Sequence, residues 1–196
     1  MLLPLAACSG SFFQTKAVPP TTYLLSAATK LQASPAAQIP ADLAVLKPRV
    51  RAGLDTDRIA ALYPDRRLEY FAGARWSGPL DEVIQDLLVQ ELRALSRLRN
   101  VSADAFVFPS AYWLEIEVTD FQAEYSTAVA APIVHVNFQA RVGRSTDRRI
   151  LARFEASAEE AAADNRLSAI VDAYERAAGK ALSEIAADTD RALITN

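Results

Sequence analysis

Cys8 and His135 are the only cysteine and the only histidine among the 196 residues of this chain, and each type is able to do chemistry. Cys8 follows Leu5-Ala6-Ala7 and precedes Ser9-Gly10. An aliphatic residue, two small residues and a cysteine make the pattern of a bacterial lipobox, in which the cysteine becomes an acylated N-terminus. The competing reading is a lone thiol that packs as a small hydrophobe. The flanks favour the lipobox, because Leu2 to Ala7 are all apolar or small, as a signal h-region requires. No Lys or Arg precedes Cys8, and the apolar run falls short of an h-region of about 7–15 residues. A basic n-region is therefore expected upstream. With Cys8 carrying lipid, no thiol remains for a disulfide or a thiolate metal site.

His135 would have to carry any Ser-His-Asp triad or histidine metal site alone. Nothing around it matches G-x-S-x-G or H-E-x-x-H. It falls on the polar side of an alternating segment, which reads as a surface strand position. Glu115, Glu117, Asp120 and Glu124 form an acidic set, and paired carboxylates can transfer protons or hold a hard cation. Their alternation with Leu114, Ile116 and Val118 instead marks the solvated face of a strand, with Arg141 and Arg153 expected across from Glu117. The glycines are scattered, so no phosphate-cradling loop exists, and no cofactor is expected. The net charge of −3 argues against nucleic acid as a partner.

Docking chemistry has better candidates. Arg141, Arg144, Arg148, Arg149 and Arg153 gather about one hairpin, which would suit lipid headgroups or an acidic partner. A solvated turn interrupted by Asp147 is the simpler reading. Trp76 lies in the run Ala74-Arg75-Trp76-Ser77-Gly78-Pro79, where it either plugs the end of the core or anchors a partner. The candidate docking residues are Trp76, Arg75, Arg144, Arg148 and Arg149.

The elements that must position these residues follow from periodicity. Residues 1–8 read as a lipoprotein signal remnant, 9–22 as a Ser/Thr/Pro linker, and 23–196 as one periplasmic domain. Tyr23-Leu24-Leu25 is a short strand candidate, and 29–41 reads as a loop. Leu43 to Arg51 is strand-like, with Pro48 at an edge or bulge. Arg58–Tyr63 and Arg67–Phe71 form a hairpin about Pro64-Asp65-Arg66. Pro79 opens a helix whose stripe is Leu80, Val83, Ile84, Leu87, Leu88, Leu95 and Leu98, with Arg93, Arg97 and Arg99 at its far end. Three segments about 114–118, 134–142 and 150–156 carry apolar residues at even positions, which antiparallel pairing places on one face. The stripe Leu167, Ile170, Val171, Tyr174, Ala178, Ala181, Leu182 and Ile185 covers that face as a long helix capped by Asp164. The expected architecture is an α+β two-layer sandwich: a mainly antiparallel sheet with two long helices on one face.

The run Gly53-Leu54-Asp55-Thr56-Asp57-Arg58-Ile59, then Arg67 to Trp76, then Pro79-Leu80-Asp81-Glu82-Val83-Ile84-Gln85, resembles the ABC-type transport auxiliary lipoprotein family, that of paraquat-inducible protein C. The resemblance runs from the lipobox through Tyr23-Leu24-Leu25 to the last helix. It implies a sandwich similar to the amino-terminal domain of the Tol-Pal propeller protein, and no catalytic residues. It further implies an outer-membrane lipoprotein facing the periplasm, beside an ABC permease and ATPase and an MCE-domain protein of a lipid-transport system. Ser9, not Asp, after the cysteine agrees with the outer membrane. The expected function is a non-enzymatic anchor or cap for the outer-membrane end of that assembly, with a homo-oligomer as a further expectation. A periplasmic lipid carrier is the alternative. A periplasmic hydrolase is disfavoured, since no nucleophile–base pair is visible.

Overall fold

A computed structural model describes residues 19–26, 38–103, 110–128 and 130–195. Cys8 and most of the linker lie outside these residues. The described chain forms strands β1 (Thr21–Tyr23), β2 (Ile39–Val45), β3 (Arg49–Val50), β4 (Arg58–Leu62) and β5 (Leu68–Trp76), then helix α1 (Leu80–Leu95). Strands β6 (Leu98–Ser102), β7 (Tyr112–Glu124), β8 (Ile133–Arg144) and β9 (Ile150–Ala161) follow, and helix α2 (Leu167–Ile194) ends the fold. No helix among the described residues is long and apolar enough to cross a membrane.

β7 is the spine. One edge pairs antiparallel with β8 over its whole length, and β8 pairs antiparallel with β9. The other edge takes three short strands in succession, all parallel: β2 at Tyr112–Leu114, β3 at Glu117–Val118, and β4 at Ala123–Glu124. β6 lies outside β2, and β5 then β1 lie outside β4. The sheet is mixed, with its long ladders antiparallel, and both helices cover one face. The α+β sandwich read from periodicity is thus the observed architecture.

Local chemistry explains the elements. Arg66 takes the left-handed φ of 66° that turns β4 into β5. Leu80 donates its N–H to the Thr56 carbonyl, and Trp76 donates to that of Asp57, which ties the start of α1 to the preceding turn. α1 buries Leu80, Val83, Ile84, Leu87, Leu88 and Leu92 on one side. It stops at Leu95, because Ser96 is extended and returns its hydroxyl to the Leu92 carbonyl.

Several readings need correction. Leu98 belongs to β6 and not to the helical stripe, and Arg97 and Arg99 lie beyond α1. Sheet pairing with β2 overrides helical spacing there. Pro48, which has no N–H to give a ladder, divides Leu43–Arg51 into β2 and β3. Among the described residues the first strand starts at Thr21, so Thr21 and Thr22, at the end of the stretch read as linker, pair with β5. Residues Ile39 to Ala41, read as loop, are already β2. Asp164 does not cap α2; the position before the helix is Arg166, whose backbone N–H and guanidinium both bind the Asp164 carboxylate. In β7 the even face holds only to Val118. The register shifts by one between Val118 and Asp120, so Phe121 and Ala123 take over the buried face.

Trp76 is 1% exposed. Its ring meets Tyr174 edge-on at 5.2 Å and Phe121 at 6.0 Å, so β5, β7 and α2 converge on one aromatic cluster. The Tyr174 hydroxyl donates to the Ala60 carbonyl at 2.6 Å, and burial pushes its phenol well above the ordinary tyrosine range. Trp76→Ala should cost about 3–5 kcal/mol by denaturant titration. Tyr174→Phe should cost about 1 kcal/mol. The unfolded phenol ionises near pH ~10 while the folded one stays protonated, so stability should fall as pH rises above that point. Tyr174→Phe should make that alkaline fall shallower.

Candidate functional site

The sheet face away from the helices is open, and its side chains form rows across β7, β8 and β9. The first row is Trp113, Gly143 and Ile150; the second is Glu115, Arg141 and Arg153; the third is Glu117, Gln139 and Glu155. After the β7 bulge come Asp120, Asn137 and Ser157, then Gln122, His135 and Glu159.

The first row floors a groove of about 730 Å3 bounded by Leu46, Ser110, Trp113, Arg141, Arg148 and Ile150. Trp113 lies over the backbone of Gly143, directly opposite on β8. A Cβ at position 143 would fall well inside van der Waals distance of the indole ring, so glycine is what lets the ring lie down. The Arg141 guanidinium sits 6.0 Å from the Trp113 ring centre and bonds the Glu115 carboxylate at 2.6 Å. Ser145 donates its N–H to the Ala111 carbonyl, which holds the β8–β9 hairpin against the start of β7. In that hairpin the Asp147 carboxylate accepts from the Arg149 N–H, and Arg148 has a φ of 56°. A left-handed position favours Gly or Asn, so an arginine there carries a backbone cost of about 1–2 kcal/mol.

Beside this groove lies a polar recess of about 430 Å3. Arg49 spans Glu115 at 3.2 Å and Glu117 at 3.6 Å, and Arg51 reaches Asp120 at 3.7 Å. The acidic set is therefore an ion-pair lattice on a strand face. The partners differ from those expected: Arg141 serves Glu115, and Glu117 is met by Arg49 from β3. His135 stands between Glu159 at 3.3 Å and Glu124 at 3.7 Å. Among the described residues no group of His, Cys, Asp and Glu is arranged to hold a metal ion.

The structure separates the candidate docking residues. Arg144, Arg148 and Arg149 belong to the groove end, where β8 and β9 meet. Arg144 is held by Asp147 at 3.5 Å, while Arg148 and Arg149 are exposed. Arg75 lies on β5, opposite Arg58, with Thr22 at 3.3 Å and Asp57 at 3.8 Å. β4 joins β7 only at Ala123 and Glu124, so Arg75 is far along the spine from the hairpin. Trp76 is not a surface anchor, because its ring is enclosed by Phe121 and Tyr174. The half-buried indole on the open face is Trp113, which sequence reasoning missed. Two signals pointed to it: an indole at an odd, polar-face position of β7, and a glycine within the facing strand.

The family described as ABC-type transport auxiliary lipoprotein component matches residues 23–186. Among solved structures, a Xanthomonas campestris protein of the DUF330 family is similar at 23% identity and a TM-score of 0.75, covering 89% of this chain and 96% of that one. A hypothetical protein from Chlamydia trachomatis is similar at 12% identity and a TM-score of 0.56, covering 81% of this chain and all of the other (100%). These two likenesses concern the fold. No curated protein matches.

Gly143→Ala should lift the Trp113 ring off β8 at a cost of about 1–3 kcal/mol. In a Trp76→Phe background Trp113 is the sole tryptophan, and its emission should shift on that substitution while the far-UV circular dichroism stays unchanged.

Proposed function

Because this chain belongs to the ABC-type transport auxiliary lipoprotein component family, we propose that it is a non-enzymatic accessory lipoprotein, anchored through lipid on Cys8 at the periplasmic face of the outer membrane. It holds or caps the outer-membrane end of an assembly that contains an ABC permease and ATPase and an MCE-domain protein, and that moves lipid between membranes. The observation that carries this reading is the Trp113 groove. It joins an indole floor and the aliphatic Leu46 and Ile150 to an arginine rim at Arg141 and Arg148. Such a surface suits an apolar side chain flanked by carboxylates on a protein partner.

The site offers positioning and not bond chemistry. The Arg141 charge is spent on Glu115, and both ring nitrogens of His135 face carboxylates. Arg148 stands in a backbone state that glycine would occupy more easily, which points to a use for its side chain. The lipid-carrier alternative finds less support. The space between sheet and helices is filled by Leu43, Val45, Ile84, Leu88, Leu114 and Phe138, all fully buried.

The test is affinity capture of the tagged full-length chain from solubilised envelopes. The wild type should retain the MCE-domain protein. Trp113→Ala and Arg148→Gly should each weaken that capture about tenfold, the loss of about 1.4 kcal/mol. Arg148→Gly should meanwhile leave the fold as stable as before or more so by up to about 1 kcal/mol. Cys8→Ser should move the protein from the membrane to the soluble periplasmic fraction. Equal capture by all of these groove variants would sink the groove assignment.

A further inference from the structure

The polar recess beside the Trp113 groove carries charges that its own ion pairs do not use up. Three arginines, Arg49, Arg141 and Arg153, and three glutamates, Glu115, Glu117 and Glu155, line its 430 Å3 or so. Its formal charge is therefore zero, but the two signs are not mixed. Strand register sorts them into rows. Arg141 on β8 stands between Glu115 on β7 and Arg153 on β9, and Gln139 stands between Glu117 and Glu155. The arginine row thus holds two cations and one anion, while the glutamate row holds two anions and no cation. Arg49 enters from β3 and reaches both rows, at 3.2 Å from Glu115 and 3.6 Å from Glu117.

Pairing within each row is incomplete. Glu115, 15% exposed, takes both Arg49 and Arg141. Arg153 is exposed, makes no ion pair among the described residues and faces Arg141, a like charge. Like charges directly opposite one another destabilise a sheet, and an anion held between them removes that penalty. Arg141 bonds Glu115 through Nε and Nη2, which leaves its Nη1 to act beside the guanidinium fork of Arg153. In the other row the Glu155 carboxylate accepts from the Asn137 side chain at 2.7 Å, and Glu117 has the longer contact to Arg49. Both carboxylates have room for a further donor.

We propose that this recess binds a phosphodiester carrying a primary ammonium two methylenes away, the phosphoethanolamine group. The phosphate lies between Arg141 and Arg153, and the ammonium lies between Glu117 and Glu155. Residues two apart on a strand are separated by about 6.6 Å. Phosphorus and nitrogen in this group are four bonds apart, about 5 Å when extended, and the phosphate oxygens lengthen that reach. A phosphodiester with one ammonium is neutral overall, so it enters a neutral recess without unbalancing it. A plain phosphate would meet the glutamates unpaired, and a plain amine would meet the arginines. An amino acid holds both its charges on one carbon, too close to face both rows. The inference needs neither Trp113 nor capture of a protein partner.

The test is isothermal titration calorimetry of the purified full-length chain in a non-ionic detergent. Glycerophosphoethanolamine should bind about tenfold tighter than glycerol 3-phosphate or glycerophosphocholine, whose quaternary nitrogen has no N–H to give Glu117 and Glu155. Arg153→Gln and Glu155→Gln should each weaken that binding about tenfold and leave the urea midpoint of unfolding unchanged. A parallel titration with dihexanoyl phosphatidylethanolamine identifies the source. Equal affinity for the two ligands marks recognition of the headgroup alone, and binding of the short-chain lipid only marks a membrane phospholipid. The idea is overturned if neither ligand saturates the protein, if the choline or phosphate compounds bind as tightly, or if Arg153→Gln leaves the affinity unchanged.

Discussion

The backbone of β7 must find hydrogen-bond partners along both edges, because its buried face admits no water to supply them. β8 meets one edge along its whole length, with one bulge between Val118 and Asp120. The other edge is shared among β2, β3 and β4, each contributing two or three residues. Everything else is arranged around this division. β2 carries β6 and the helix α1 region at one end, and β4 carries β5 and β1 at the other. The bulge between Val118 and Asp120 lets one strand serve both halves, since it moves the buried face from Leu114, Ile116 and Val118 to Phe121 and Ala123. Without that extra residue Phe121 would point to solvent, and Trp76 and Tyr174 would lose the ring they pack on.

The two faces of the sheet consequently have opposite work. The helix-covered face is packed with buried side chains such as Leu43, Ile84, Leu88, Leu114 and Phe138. The open face is graded along β7. An indole and aliphatic groove lies near Tyr112, an ion-pair lattice occupies the middle, and His135 with its carboxylates lies toward Glu124. An arginine rim at the groove end concentrates charge where apolar surface is exposed. Under the proposed function that combination suits recognition, because charge selects and orients a partner while the apolar floor supplies the burial.

Much of this was legible in the chain. Alternation at 114–118, 134–142 and 150–156 identified the three long strands, because a period of two has one structural meaning when one face is buried. The stripes of α1 and α2 were equally plain. Short strands were the failures. β3 has two residues and β6 has five, too few to show a period, and Leu98 fell in step with the preceding helix by coincidence of spacing. The candidate site was half visible. Arg144, Arg148 and Arg149 stood out as a charge cluster; of the two readings of Trp76 the core one holds, and Trp113 was passed over.

The sequence by itself determined the two-layer class and the periodic faces of the long elements, since these depend on residue type and local spacing. Tertiary structure alone decided which tryptophan is buried. Both lie at strand positions; Trp76 is enclosed by Phe121 and Tyr174 from elements remote in the chain, while Trp113 lies on the open face over Gly143. It also decided which arginine meets which carboxylate, because a one-residue bulge and a two-residue strand set the register of the open face. Such shifts cost little locally and leave no periodic trace, yet they move every side chain beyond them.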